Sequence, residues 1–203
     1  MPILSLTEKD LLLSSVDIAF LSLHSEYSSG GGFELVGGTP AYARQPVVFT
    51  SVVSGQLIMV GSVTFDVPGP ATVAWIGFWS AAGSFRGMQP VGGDALKIFT
   101  TVDVTNTPGV VAVPNHDYIV GDRVIMWASA DIALPQPLFE AGTLIVGTVA
   151  VDQLTLTYSD IGFTPVTFGF GGAGFLQRIL STDYVVQSTF ALSGLTIDAR
   201  MAA

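Results

Sequence analysis

Residues 71–80, Ala-Thr-Val-Ala-Trp-Ile-Gly-Phe-Trp-Ser, constrain the fold more than any other stretch of the chain. From Val73 to Trp79, seven consecutive residues carry no polar side chain. Turn signals bound the run, with Asp66-Val-Pro68-Gly69-Pro70 before it and Ala82-Gly83-Ser84 after it. So short a run between turns predicts a strand covered on both faces. Alternation sends Val73, Trp75 and Trp79 to one side and Ala74, Ile76 and Phe78 to the other. Gly77, between the tryptophans, leaves room for close backbone approach or for a large neighbour. The strand is expected at the centre of an antiparallel β-sandwich.

The surface of such a sandwich would be unusual. Charged residues are 11% of the 203, against about 25% in ordinary globular chains. Hydrophobic residues are 49% and the mean hydropathy is +0.59. Either other chains cover much of the surface or the chain lies in a membrane. The charge-free stretch Gln45 to Phe65 is long enough to span. Its apolar residues come in short runs separated by Ser54, Gly55 and Gln56, which reads as two strands and a turn. No basic region precedes an apolar one at the N-terminus, so no signal peptide is expected. No membrane partner is expected. With no cysteine, disulfides and thiolate metal sites are excluded. The net charge of −9, with seven scattered basic residues, argues against nucleic acid as a partner.

In chain order, Thr7 and Asp10 mark a short N-terminal helix carrying Leu11, Leu12 and Leu13. A strand follows over Asp17–His24, then a loop at Ser28-Ser-Gly-Gly-Gly32 that reads as flexible. The loop from Glu34 to Gln45 carries Tyr42 and Arg44, two residues apart. It reads as a structural latch in which Arg44 pairs with Glu34 or Glu26, because a returning loop must satisfy its backbone. The competing reading is a ligand site. Strands are expected near 47–53, 57–66, 72–79 and 96–104.

The residues Leu21-Ser-Leu-His24-Ser, Glu34-Leu35, Tyr42-Ala-Arg-Gln45, Val48-Phe49, Val63-Thr-Phe65 and Val73-Ala-Trp-Ile-Gly-Phe-Trp79 together resemble a family of bacteriophage β-sandwich proteins. Its members are tail-fibre or minor tail proteins, and related chains decorate capsids. The resemblance covers about residues 10–100. It departs at Glu26-Tyr-Ser-Ser, at Ala74-Trp75 and at Phe78. A second stretch, His116, Gly121-Asp-Arg-Val124, Leu134-Pro135, Leu138 and Gly142-Thr143, resembles a small β module inserted in phage structural proteins, departing at Asp117. The expected organisation is a sandwich over 1–106 plus 171–203 with an inserted β subdomain over 107–170.

Candidate chemistry is sparse. Gly169-Phe-Gly171-Gly-Ala-Gly174 fits a dinucleotide fingerprint, but too little chain follows for the required βαβ unit. His24 and His116 are the only imidazoles, too few for a zinc site. His116 reads as a loop histidine bonded to backbone. No calcium-loop pattern occurs among the aspartates. Trp75 and Trp79 read as core, and Trp127 as the better candidate for an exposed contact. No catalytic, metal or cofactor residues are assigned, and no cofactor is expected. The resemblance implies a non-enzymatic virion protein, assembled in the host cytoplasm as a homo-oligomer with capsid or tail subunits. A carbohydrate- or receptor-binding module that meets a host surface glycan is the alternative.

Overall fold

The structure, a computed structural model, describes residues 16–53, 56–92, 96–103, 109–128, 143–158, 164–168 and 171–198. The helix expected after Thr7 lies outside them. The first seven strands are β1 (Phe20–His24), β2 (Gln45–Pro46), β3 (Gln56–Ile58), β4 (Ser62–Val67), β5 (Ala71–Val73), β6 (Trp75–Trp79) and β7 (Phe85–Pro90). Next come β8 (Lys97–Asp103), β9 (Val110–Ala112), β10 (Arg123–Ala128), β11 (Leu144–Ala150), β12 (Gln153–Tyr158) and β13 (Ala173–Arg178). The last are β14 (Thr182–Tyr184), β15 (Ser188–Ser193) and β16 (Thr196–Asp198). The described pairings are all antiparallel. The chain divides into two units, Met1–Val91 with Ser181–Ala203, and Gly92–Leu180.

In the first unit, β6 is an inner strand of the sheet β2-β1-β6-β7. All five of its residues are buried. β1 runs along one edge of it, Phe20 opposite Trp79 through His24 opposite Trp75. β7 runs along the other edge. The run 71–79 is not one straight strand. It leaves β5 at Ala74, whose amide bonds to His24 O while its carbonyl accepts from Val91 N. The break shifts the alternation, so Val73 joins Ile76 and Phe78 in the core instead of siding with Trp75 and Trp79.

The core is closed by a ribbon in which the end of the chain folds back along residues 56–73. Three short pairings, β14 on β5, β15 on β4 and β16 on β3, belong to it. Their register is continuous from Thr182 opposite Val73 to Ser193 opposite Ser62. It slips by one residue before Thr196 opposite Ile58. Alternation then places Val63, Phe65 and Val67 inward, against Leu21, Leu23, Ile76 and Phe78 from the sheet. Phe65, Leu21 and Leu23 are fully buried. Truncating any of them removes about 2–5 kcal/mol.

The second unit is a closed barrel in the order β10-β11-β12-β9-β8-β13. Its interior is filled by residues such as Phe99, Val124, Leu144, Leu156 and Leu176. Bulges between Val146 and Thr148 and between Thr101 and Asp103 supply the extra twist that closure needs. The boundaries expected at 107 and 170 are therefore corrected to 92 and 180. β8 and β9, on either side of position 107, pair with each other, so no domain boundary falls between them. The stretch from Phe175, expected to return to the first unit, is β13, which closes the barrel between β8 and β10. Gly171 leads into that strand and Gly174 lies within it, and Gly172 N donates to Thr101 Oγ1. Among the described residues, the glycines meet a strand and not a helix.

At Gly69 the ribbon's two sides approach closely outside the ladder. A Cβ there would fall inside the backbone of Val186 and Gln187. Gly69→Ala should destabilise the first unit by about 2 kcal/mol or more. Gly30→Ala, with open space around it, should stay within about 0.5 kcal/mol of wild type. Urea unfolding of both variants checks this, and equal midpoints would contradict the close approach.

Candidate functional site

β1 reads Phe-Leu-Ser-Leu-His, so Ser22 and His24 share a face opposite Leu21 and Leu23. On that face they meet Trp79 across the sheet. Trp79 Nε1 donates to Ser22 Oγ at 2.7 Å. Ser22 Oγ lies 2.6 Å from His24 Nε2, and His24 Nδ1 lies 2.7 Å from Gly32 O. A carbonyl only accepts, so Nδ1 carries the proton and Nε2 accepts from the Ser22 hydroxyl. Each polar atom in this chain of bonds is thereby satisfied with His24 neutral. Gly77 makes the arrangement possible, since a Cβ there would overlap both His24 Nε2 and Ser22 Oγ.

A loop seals the face. Ser28 Oγ accepts from Gly32 N at 2.9 Å and pins the segment that reads in sequence as flexible. Gly31, at φ +77°, lies against the Trp79 and Phe85 rings, where a Cβ would come within 2.8 Å of either. Gly31 is thus needed for contact, and Ser22 and His24 have no solvent exposure. Serine beside histidine is the pairing of a nucleophile and its base. Here the pair is closed to any substrate, and the second imidazole nitrogen meets a backbone carbonyl rather than an acid.

The latch residues lie around the same strand. Arg44 forks onto Glu34, Nε to Oε1 at 2.8 Å and Nη2 to Oε2 at 2.7 Å. Its guanidinium stacks on Trp79, 3.3 Å from the ring centroid. The Glu34 carboxylate holds the Arg44 guanidinium in its charged form. Tyr42 lies near the same Glu34 carboxylate and also reaches the core. Its ring stacks on Phe65, and its hydroxyl accepts from Leu23 N at 2.7 Å. β2 covers only Phe20 and Leu21 of β1, so Tyr42 and Leu35 serve the rest of that edge. Burial pushes the Tyr42 phenol well above its ordinary value.

Next to the latch lies an open groove of about 650 Å³. Phe33, Val36, Pro70 and Tyr184 give it apolar walls, and Glu34 and Asp183 are its acids. Phe33 is 61% exposed at φ 58°, a conformation rare for an aromatic residue. Two bonds brace it there. Phe33 O accepts from Ser25 N, and the next residue is fixed by Arg44.

In the barrel, His116 Nε2 lies 3.2 Å from Ala150 O and the ring stacks on Tyr118. Asp117, its neighbour, pairs instead with Lys97, which holds its carboxyl below the usual range. Arg178 Nε donates to Asp122 at 2.9 Å and Nη2 to Asp117 O. These contacts tie the turn at Gly121 to β8 and β13. The side chain of Trp127 lies outside the described residues; its backbone pairs with Phe175. Among the described residues, no three His, Cys, Asp or Glu side chains group as metal ligands.

The sequence reading did not join Ser22, His24 and Trp79, although two polar residues spaced by two in an apolar strand were the available signal. Nothing in the sequence marked Phe33. Compared with known proteins, the chain matches no protein family, no curated protein and no solved structure.

Burial lowers the His24 pKa, outweighing the Gly32 carbonyl and the Glu34 charge, which raise it. Protonation thus costs more in the folded chain than in the unfolded one. The stability from neutral His24 is complete above its unfolded pKa of about 6.5 and is lost as pH falls below it toward the depressed folded value. The urea midpoint of the first unit should fall more steeply between about pH 7.5 and 5.5 in wild type than in His24→Gln. Parallel slopes would contradict this.

Proposed function

We propose that this chain is a non-enzymatic structural protein of a tailed-phage virion. It is a minor tail or tail-fibre-like protein, or a capsid decoration protein, and acts by assembling with other virion proteins. The sheet and the ribbon of the first unit are read as the two layers of a sandwich, and the barrel as a further contact surface.

One observation carries the reading. An isolated antiparallel bridge joins Phe49 to Met59, with Val60 N donating to Val48 O and Thr50 N to Ile58 O. Alternation turns Leu57 and Met59 inward, so the outer face carries Val48 at 67%, Ile58 at 45% and Val60 at 56% exposure. The solvent face of an antiparallel pair is ordinarily polar. Ile98, Val102, Val185 and Val186 are exposed apolar side chains elsewhere on the two units. Apolar surface of this kind is stable in solution chiefly when another protein covers it. Among the described residues no helix is long and apolar enough to cross a membrane, which leaves strand-built spans untouched.

A second reading, a module that binds a host glycan, draws on the groove. An exposed, braced Phe33 ring beside Tyr184 and Asp183 supplies a stacking surface and a hydrogen-bond acceptor.

Purified virions of the encoding phage, washed in high salt, should retain the chain, and the isolated chain should self-associate in sedimentation. A monomer at every concentration that is also missing from washed particles would contradict the assembly reading. A glycan array bound by wild type and not by Phe33→Ala would favour the second reading.

A further inference from the structure

We infer that β15 is the contact through which two copies of this chain join, strand against strand, about a two-fold axis at Ala191. The inference names the element that the assembly reading leaves open and rests on that reading.

β15 pairs with β4 on one side. On its other side it has no backbone partner among the described residues. Free edges are normally blunted by charge, proline, a bulge or a covering loop. Ser188–Ser193 contains no charged residue and no proline, and its ladder with β4 runs unbroken over six pairs.

Burial points to this edge rather than to that of β4. On the inner face Val63, Phe65 and Val67 of β4 are at most 9% exposed. Their neighbours Phe190 and Leu192 on β15 are packed against the same core but only partly buried. One more strand beyond β15 would cover them.

The chemistry of the edge selects a second copy. Residues facing each other across an antiparallel pair lie on the same side of the sheet. A two-fold axis must therefore pass through a residue, so that Phe190 and Leu192 meet inner-face residues of the other copy. Centred on Ala191, Phe190 faces Leu192 of the second copy, Leu192 faces Phe190, and Thr189 faces Ser193. Centred on Phe190, Leu192 would face Ser188; centred on Leu192, Phe190 would face Gly194. Only the Ala191 register matches both apolar side chains with apolar partners. No like charges oppose each other within it. The four strands β4, β15 and their copies then form one sheet.

The chain has no cysteine, so an introduced one is the only thiol. Ala191→Cys should form a covalent dimer on mild oxidation, while Thr64→Cys, one strand inward and facing Ala191 on β4, should not. Ala191→Lys sets two ammonium groups opposite each other. It should lose the dimer in sedimentation equilibrium and melt like wild type diluted to its monomer, because Ala191 is exposed. Equal cross-linking of the two cysteine variants, or a dimer indifferent to Ala191→Lys, would overturn the inference. If the wild type still self-associates in that case, another surface joins the copies and the assembly reading stands without this contact. Retention on washed particles tests that reading separately.

Discussion

The first unit depends on β6 being walled on both faces by different means. One face meets the core between sheet and ribbon, where Ile76 and Phe78 pack with Phe65, Leu21 and Leu23. The other carries Trp75 and Trp79 and is covered by a glycine loop and an arginine. That second wall is partly polar, and an unpaired buried group is costly; the Trp75 indole N–H is left without a partner, whereas the Trp79 indole is paired. Ser22, His24 and Gly32 O pair the Trp79 indole in sequence, and Gly77 leaves the space for them. Removing the glycine, the serine or the histidine disturbs the same set of bonds, so the four residues act as one constraint.

The latch extends that constraint to the edge of the sheet. Arg44 touches Trp79 with its flat face and Glu34 with its fork, which ties the loop from 33 to 44 to β6. Tyr42 and Leu35 then take up the backbone groups of β1 that the two-residue β2 leaves uncovered. The interior is thereby closed and, apart from the buried Trp75 indole N–H, paired, while the exterior stays apolar at Val48, Ile58 and Val60 and open along β15.

Much of this was legible from residue types and much was not. Alternation and turn signals placed the buried strand, and Gly77 announced a close neighbour without saying that it was His24. A loop with one arginine and nearby glutamates announced an ion pair, but sequence distance did not choose Glu34 over Glu26. The Ser28–Gly32 run looks the same whether glycine serves freedom or close packing on an aromatic ring, and only the rings decide. The side of Val73 was misjudged because a single irregular residue, Ala74, resets the alternation. The domain edges were misplaced because a hairpin turn and a linker share proline and glycine. Phe33 was silent, since its exposure is set by bonds from Ser25 and Arg44 that lie elsewhere in the chain.

Amide hydrogen exchange along Trp75–Trp79 tests the two-walled strand most directly. If both walls are as described, these amides exchange only when the first unit unfolds as a whole, with a free energy equal to its global stability. Exchange of the Trp75–Trp79 amides as fast as that of the exposed turn at Ala82-Gly83 would contradict the account.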